Sequence, residues 1–146
     1  ATTAEIATMC VQEEVDALKT MGLNHIQFIV TPKFWAISLT MPILTMLSIV
    51  TGIFGGFLVS TFYLELTPAI FYSEMVKNII IKDFIISLIK SVVFAWLIIW
   101  IGAYHGFKVK GSAEDVGKET TASVVTAMFI IIITDAVFSF IYDINF

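Results

Sequence analysis

The stretch from Phe34 to Leu64, FWAISLTMPILTMLSIVTGIFGGFLVSTFYL, contains no charged side chain. An α-helix rises about 1.5 Å per residue, so about 20 apolar residues cross a hydrocarbon core about 30 Å thick. The stretch predicts one membrane span, because it is too short for two spans and the turn between them. Lys33 precedes it, and its ends carry aromatic side chains typical of the membrane interface, namely Phe34, Trp35, Phe62 and Tyr63.

Two more apolar stretches follow, and the whole chain, residues 1–146, is predicted to be a single membrane domain. Its predicted parts are a span at 34–64, an extracytoplasmic connection at 65–83, a span at 84–107, a cytoplasmic loop at 108–118 and a span at 116–142. Lys90 interrupts the second span and Asp135 the third. A short interfacial helix is predicted around Ala69 to Asn78. Ser112 and Asp115 resemble a capping box that opens the last helix.

The composition excludes an ordinary soluble domain. Hydrophobic residues make up 58% of the chain and charged residues 14%, whereas soluble proteins carry about 25% charged residues. A small soluble fold could not hide that much apolar surface. No basic cluster suited to a phosphate backbone is present, so no nucleic-acid partner is expected. The single cysteine, Cys10, excludes an internal disulfide framework and any metal site built from several cysteines.

The residues before the first span carry a helical pattern of a different kind. Residues 3–22 are predicted to form one amphipathic helix that ends near Gly22. Its apolar stripe consists of Ala4, Ala7, Val11, Val15 and Leu18, and its polar side consists of Glu5, Gln12, Glu13 and Asp16. A helix with this much charge does not enter a bilayer. Because the sequence opens within this helix and shows no signal peptide, we expect it to be a fragment of a longer protein.

Two pairs of glycines predict close helix packing. Gly52 and Gly56 in the first span, and Gly102 and Gly106 near the end of the second, have the small-xxx-small spacing that lets another helix approach. Asp135 is the costliest residue, since an ionisable group in a span costs on the order of 3 kcal/mol. Two roles are open for Asp135. It either lines a pathway for substrate or ions, or it is a carboxyl group that packs between helices.

No pattern in the sequence predicts catalysis or a cofactor. His25 and His105 lie at the ends of spans with no cysteine or carboxylate at metal-ligand spacing, so we expect both to be polar residues at the interface. The segment from Gly111 to Glu119 superficially resembles a phosphate-binding loop. Its spacing is one residue too long, Glu119 replaces the required Ser or Thr, and no strand precedes it.

The lysines near the spans indicate an orientation. Five of them fall on one side of the membrane and three on the other, which favours a cytoplasmic location for the larger set. The larger set contains Lys19, Lys33, Lys108, Lys110 and Lys118, and the smaller contains Lys77, Lys82 and Lys90.

Two groups of motifs resemble the MlaE family, the permease subunits of ABC transport systems that work with MCE-domain proteins. The first group is AEIATM at 4–9, EEVDAL at 13–18, MG at 21–22 and PK at 32–33. The second is GFKVKG at 106–111, EDVGK at 114–118 and TT at 120–121. Asp135 also stands where the family tends to carry an Asp. The resemblance covers essentially the whole chain.

The resemblance implies an all-α polytopic membrane protein of the bacterial inner membrane. The family's permeases are homodimers with five spans in each subunit, paired with cytoplasmic ABC ATPase subunits, and this chain would supply the last three spans. The transporters of this family move phospholipid or related lipid between that membrane and an extracytoplasmic assembly of MCE-domain proteins.

The helix at 3–22 resembles the family's coupling helix, in which Glu13, Glu14 and Asp16 would face the ATPase. The family often has Arg at the position of Cys10 and Thr at that of Gln12. This chain therefore lacks one cation of that face.

Two other functions stay open on the sequence. The chain would be a subunit of an ion-coupled secondary transporter if Asp135 were a proton or cation site. It would be a non-transporting scaffold if its spans only anchored a soluble complex. A stoichiometric ATPase partner separates the permease from both.

Overall fold

The computed structural model describes residues 1–79 and 81–145, and the side chains up to residue 144. Within these residues the chain forms helices and no strand. The helices are α1 (Thr2–Val11), α2 (Glu14–Thr20), α3 (His25–Phe62), α4 (Pro68–Asn78), α5 (Ile81–Lys108) and α6 (Ala113–Asn145). Three of them, α3, α5 and α6, are long and apolar enough to cross a membrane. The predicted all-α polytopic membrane class is confirmed.

The long helices match the predicted spans, with some differences at their ends. Helix α3 begins at His25 rather than at Phe34, and both Pro32 and Pro42 lie within it. Helix α4 starts with Pro68 at a position where the missing N–H has no helical partner to lose. It corresponds to the short helix predicted around residues 69–78.

The amphipathic segment differs from the prediction, because residues 3–22 form two helices instead of one. The chain bends at Gln12 and Glu13, and Glu13 has a left-handed backbone with φ of 60°. This conformation costs a non-glycine residue roughly 1–2 kcal/mol, so packing must stabilise it. The bend allows Ile6 of α1 and Val15 of α2 to enter the same apolar cluster, together with Ile29 of α3 and Ala103 of α5.

The turn between α2 and α3 is defined by hydrogen bonds at both helix ends. Gly22 has a φ of +74°, and its N–H donates to the carbonyl of Lys19 while that of Leu23 donates to the carbonyl of Leu18. This pair of bonds is a Schellman motif, and it confirms that the helix ends near Gly22. Asn24 caps the start of α3, since its Oδ1 accepts the N–H of Ile26 at 3.2 Å.

The chain divides into two compact units. The first contains residues 1–38 and 93–145, and the second contains residues 39–92. In the first unit the ring of Trp96 stacks on Phe34 at 5.7 Å, and its N–H donates to Ser38 Oγ at 3.0 Å, which joins α5 to α3.

In the second unit an edge-on contact of 5.5 Å between Phe57 and Phe71 joins α3 to α4.

Large apolar side chains cover much of the outer surface of the long helices. Trp100 is 70% exposed and Phe140 is 68% exposed. Such a surface is suited to lipid or to further helices rather than to water.

Candidate functional site

Helix α1 lies directly against α5 at the two glycines of the second predicted pair. A Cβ added at Gly106 would lie 2.7 Å from Ile6 Cβ, and one added at Gly102 would lie 3.2 Å from Thr3 Oγ1. The small-xxx-small spacing therefore admits a close neighbour here, but the neighbour is the amphipathic helix rather than another span. At Gly52 and Gly56 an added Cβ would meet no described atom within 4 Å, so the packing of that pair stays a prediction.

Polar contacts tie α1 to the other two long helices. The hydroxyls of Thr3 and Ser123 form a buried hydrogen bond of 2.8 Å, which joins α1 to α6. Glu5 Oε1 and Lys33 Nζ form an ion pair of 2.5 Å, in which the Lys33 side chain is only 23% exposed, and this joins α1 to α3. Helix α1 is thus attached to each of the three span-forming helices.

The opposite side of the two short helices is open. We call α1 and α2 together, residues 2–20, the N-terminal elbow. The predicted ATPase-facing residues Glu13, Glu14 and Asp16 are all exposed on it. Asp16 accepts a hydrogen bond of 2.8 Å from Lys19, which lowers the pKa of the Asp16 carboxyl. Glu13 and Glu14 form no ion pair with any residue that the structure describes.

A polar crevice of about 390 Å³ opens beside the elbow. Glu13 and Asp16 line one part of it, and Lys110 of the α5–α6 loop lines another. Cys10 also borders the crevice, and burial raises the pKa of its thiol. The carboxylates of the elbow and the loop after α5 therefore share one surface.

His105 occupies a position that the sequence did not predict. It is buried, with 8% of its surface exposed, and is not an interfacial side chain as expected. Its Nδ1 lies 2.7 Å from Glu119 Oε2 on α6, and the other carboxylate oxygen lies 3.3 Å from Lys108 Nζ. His25, the other histidine, makes an edge-on contact of 5.5 Å with Phe107.

The α5–α6 hairpin explains why His105 and Glu119 meet. Ser112 lies midway between them in the sequence, so a tight turn there brings the two side chains opposite each other. Gly111 supplies a φ of +124°, and the Asp115 carboxylate accepts the N–H of Ser112 at 3.2 Å. One half of the predicted capping box is therefore present, while the Ser112 hydroxyl donates to the same carboxylate rather than accepting the N–H of Asp115. The capping box was the one sequence signal that could have placed His105 beside Glu119.

Comparison with known proteins identifies the family of the chain. The family model described as Permease MlaE matches residues 1–141. The chain belongs to the MlaE permease family. It is 38% identical over 138 residues to a probable ABC transporter permease protein of Pyropia yezoensis, which covers 94% of this chain and 52% of that protein.

Two other relatives of this MlaE-family chain show the same partial coverage. A probable ABC transporter permease protein of a Synechocystis strain is 37% identical, over 90% of this chain and 50% of the relative. The intermembrane phospholipid transport system permease protein MlaE of Haemophilus influenzae is 32% identical, over 90% and 51% respectively. The chain thus spans about half the length of the relatives that it matches.

Among the described residues no group of three His, Cys, Asp or Glu side chains could hold a metal ion. Asp135 is partly exposed within α6. Its role stays a prediction.

Proposed function

We propose that this chain is part of the permease subunit of an ABC transporter that moves phospholipid or related lipid. The lipid would pass between a bacterial inner membrane and an extracytoplasmic assembly of MCE-domain proteins. Membership of the MlaE family supports the transporter class, and the name of the Haemophilus relative supports phospholipid as the substrate. Two copies of the permease would pair with cytoplasmic ATPase subunits, where ATP is hydrolysed.

The observation that carries the proposal is the two-sided N-terminal elbow. One side packs on the span-forming helices through Ile6, which is fully buried, and through the Thr3–Ser123 hydrogen bond. The other side presents Glu13, Glu14 and Asp16 to the surroundings. A partner with cationic side chains would form charge-assisted hydrogen bonds there, which are stronger than neutral ones.

The packing of the elbow would transmit a displacement of α1 to the span-forming helices. Since Gly106 leaves no free space between α1 and α5, a push on α1 displaces α5 as well. Close-packed interiors transmit strain because they are barely compressible. The bend at Glu13 separates the exposed acidic residues from the packed helix α1. In the proposed transporter, an ATPase that grips the residues after the bend would therefore move the spans through α1.

Reconstitution tests the function against the alternatives that the sequence left open. The full-length protein is purified in detergent, the copurifying ATPase is quantified, and the complex is placed in vesicles with a fluorescent phospholipid. We expect stoichiometric ATPase and lipid movement that requires ATP. A secondary transporter that uses Asp135 would instead move its substrate with an ion gradient and no ATPase. A scaffold would move nothing, and either result would contradict the proposal.

A further inference from the structure

The contacts of Glu119 join α5 to α6 next to the place where α1 packs against α5. Glu119 uses both carboxylate oxygens, one toward His105 at 2.7 Å and the other toward Lys108 at 3.3 Å. We call Glu119, His105 and Lys108 the hairpin triad. His105 directly precedes Gly106, on which Ile6 rests.

On α6, Glu119 lies one helical turn before Ser123, which binds Thr3. The triad therefore joins the two helices at the level where α1 contacts both of them.

Within the triad, the contact between His105 and Glu119 is more buried than the surface ion pairs. The side chains of His105 and Glu119 are 10% and 21% exposed, so solvent and salt screen their interaction less than that of an exposed pair. Glu114 and Lys118, also on α6, form a pair of 2.8 Å with side chains 76% and 68% exposed. That pair lies within one helix and cannot join two. It provides a matched comparison for the triad.

A push on α1 reaches α5 and α6 through separate contacts. The contact with α5 is steric, at Gly106, and the contact with α6 is a hydrogen bond, at Ser123. If nothing joined the two helices at this level, part of the displacement would spread them apart instead of moving them together. The carboxylate of Glu119 opposes this, because separation would break its charge-assisted interactions with the buried His105 and with the more exposed Lys108.

We propose that Glu119, held by His105 and Lys108, is a positioning residue for energy coupling, which makes α5 and α6 move as one body when α1 is displaced. The inference rests on the proposed function and adds the residues that transmit the motion. The hairpin triad itself contacts neither ATP nor the ATPase in this role. It acts through α1, α5 and α6.

The test compares lipid moved per ATP hydrolysed in vesicles that contain the full-length permease with its ATPase. Glu119→Gln keeps the shape and one hydrogen bond but removes the charge that holds Lys108. We expect lipid per ATP to fall by about threefold or more, because residues along a coupling route change coupling by about this amount. The KM for ATP and the number of ATPase subunits per permease should stay at their wild-type values.

Two further variants control the result. Glu114→Gln removes the exposed pair on the same helix and should leave lipid per ATP unchanged. The double variant His105→Glu with Glu119→His exchanges the two side chains. We expect it to recover part of the coupling that is lost in each of the single variants His105→Glu and Glu119→His. Recovery would show that the interaction between the two positions matters.

Two outcomes would overturn the inference while leaving the proposed function intact. The first is a Glu119→Gln complex with the wild-type ratio of lipid to ATP. The second is a variant that assembles poorly but whose assembled fraction keeps that ratio, which would make the triad purely structural. If the wild-type complex itself moves no lipid with ATP, the proposed function fails first and the inference fails with it.

Discussion

Substitution of Gly106 by alanine should displace α1 from α5. The added Cβ would lie 2.7 Å from Ile6 Cβ and 2.9 Å from Ile6 Cγ2, and the carbonyl oxygen of Thr3 would be 3.2 Å away. Carbon atoms prefer separations of about 3.5–4.0 Å, so α1 must retreat by roughly 1 Å. Rotation of the Ile6 side chain cannot relieve the clash, because the backbone fixes the position of Cβ.

The expected cost follows from overpacking of a filled contact. Forcing extra methyl groups into a well-packed site typically costs about 1–3 kcal/mol, and we expect this loss in the free energy of unfolding. Ile6→Ala in the same protein removes the contact at 2.9 Å but leaves the one at 2.7 Å. The double variant should therefore recover only part of the steric cost, and it also loses the buried Ile6 side chain.

The measurement is the unfolding of the full-length protein in mixed detergent micelles, combined with lipid transport. Gly117→Ala on α6 is the matched control, since Gly117 is exposed, belongs to neither glycine pair, and its Cβ would meet no described atom within 4 Å. Alanine stabilises a helix by up to about 1 kcal/mol relative to glycine, so the control should be neutral or slightly more stable. If Gly106→Ala proves as stable and as active as Gly117→Ala, α1 does not pack against α5 at Gly106.

Two further predictions concern topology and Asp135. After Cys10 is removed, a cysteine at the exposed position Ser73 should react with an impermeant thiol reagent in intact cells, and one at Ser112 should not; the reverse pattern would overturn the orientation. Asp135→Asn should keep assembly and partial lipid transport if the carboxyl group only packs between helices, because the amide still forms hydrogen bonds. Complete loss of transport in a well-assembled protein would instead favour a proton or cation site.

The long helices could be predicted because a membrane span is a local property of the sequence. An unbroken apolar stretch such as 34–64 indicates a span whatever surrounds it. The exposure of the acidic residues on the N-terminal elbow could also be predicted, from the chemistry of the side chains themselves. Carboxylates such as Glu14 rarely lie buried without partners.

The bend at Glu13 could not be predicted, because no local signal favours a left-handed glutamate. The conformation follows from packing, as Ile6 and Val15 enter one cluster from two helices. The glycines at 102 and 106 indicated that something approaches α5 closely, but small residues do not specify the neighbour. The pairing of His105 with Glu119 depends on the geometry of a hairpin, which spacing along one helix does not reveal.

In the proposed transporter, the N-terminal elbow receives the ATPase. The most direct test is the number of ATPase subunits that copurify with the full-length permease carrying Glu13→Lys and Glu14→Lys. Losing one buried charged pair costs about 2–5 kcal/mol of binding, which weakens affinity by about 30-fold or more. A solvated surface would instead change by at most about 1 kcal/mol. The control is Glu74→Lys on α4, an exposed carboxylate in the second unit.

We expect the double variant to lose its ATPase while its spans stay folded, and the control to keep it. Wild-type ATPase stoichiometry together with wild-type lipid transport in the double variant would contradict docking of the ATPase on the elbow.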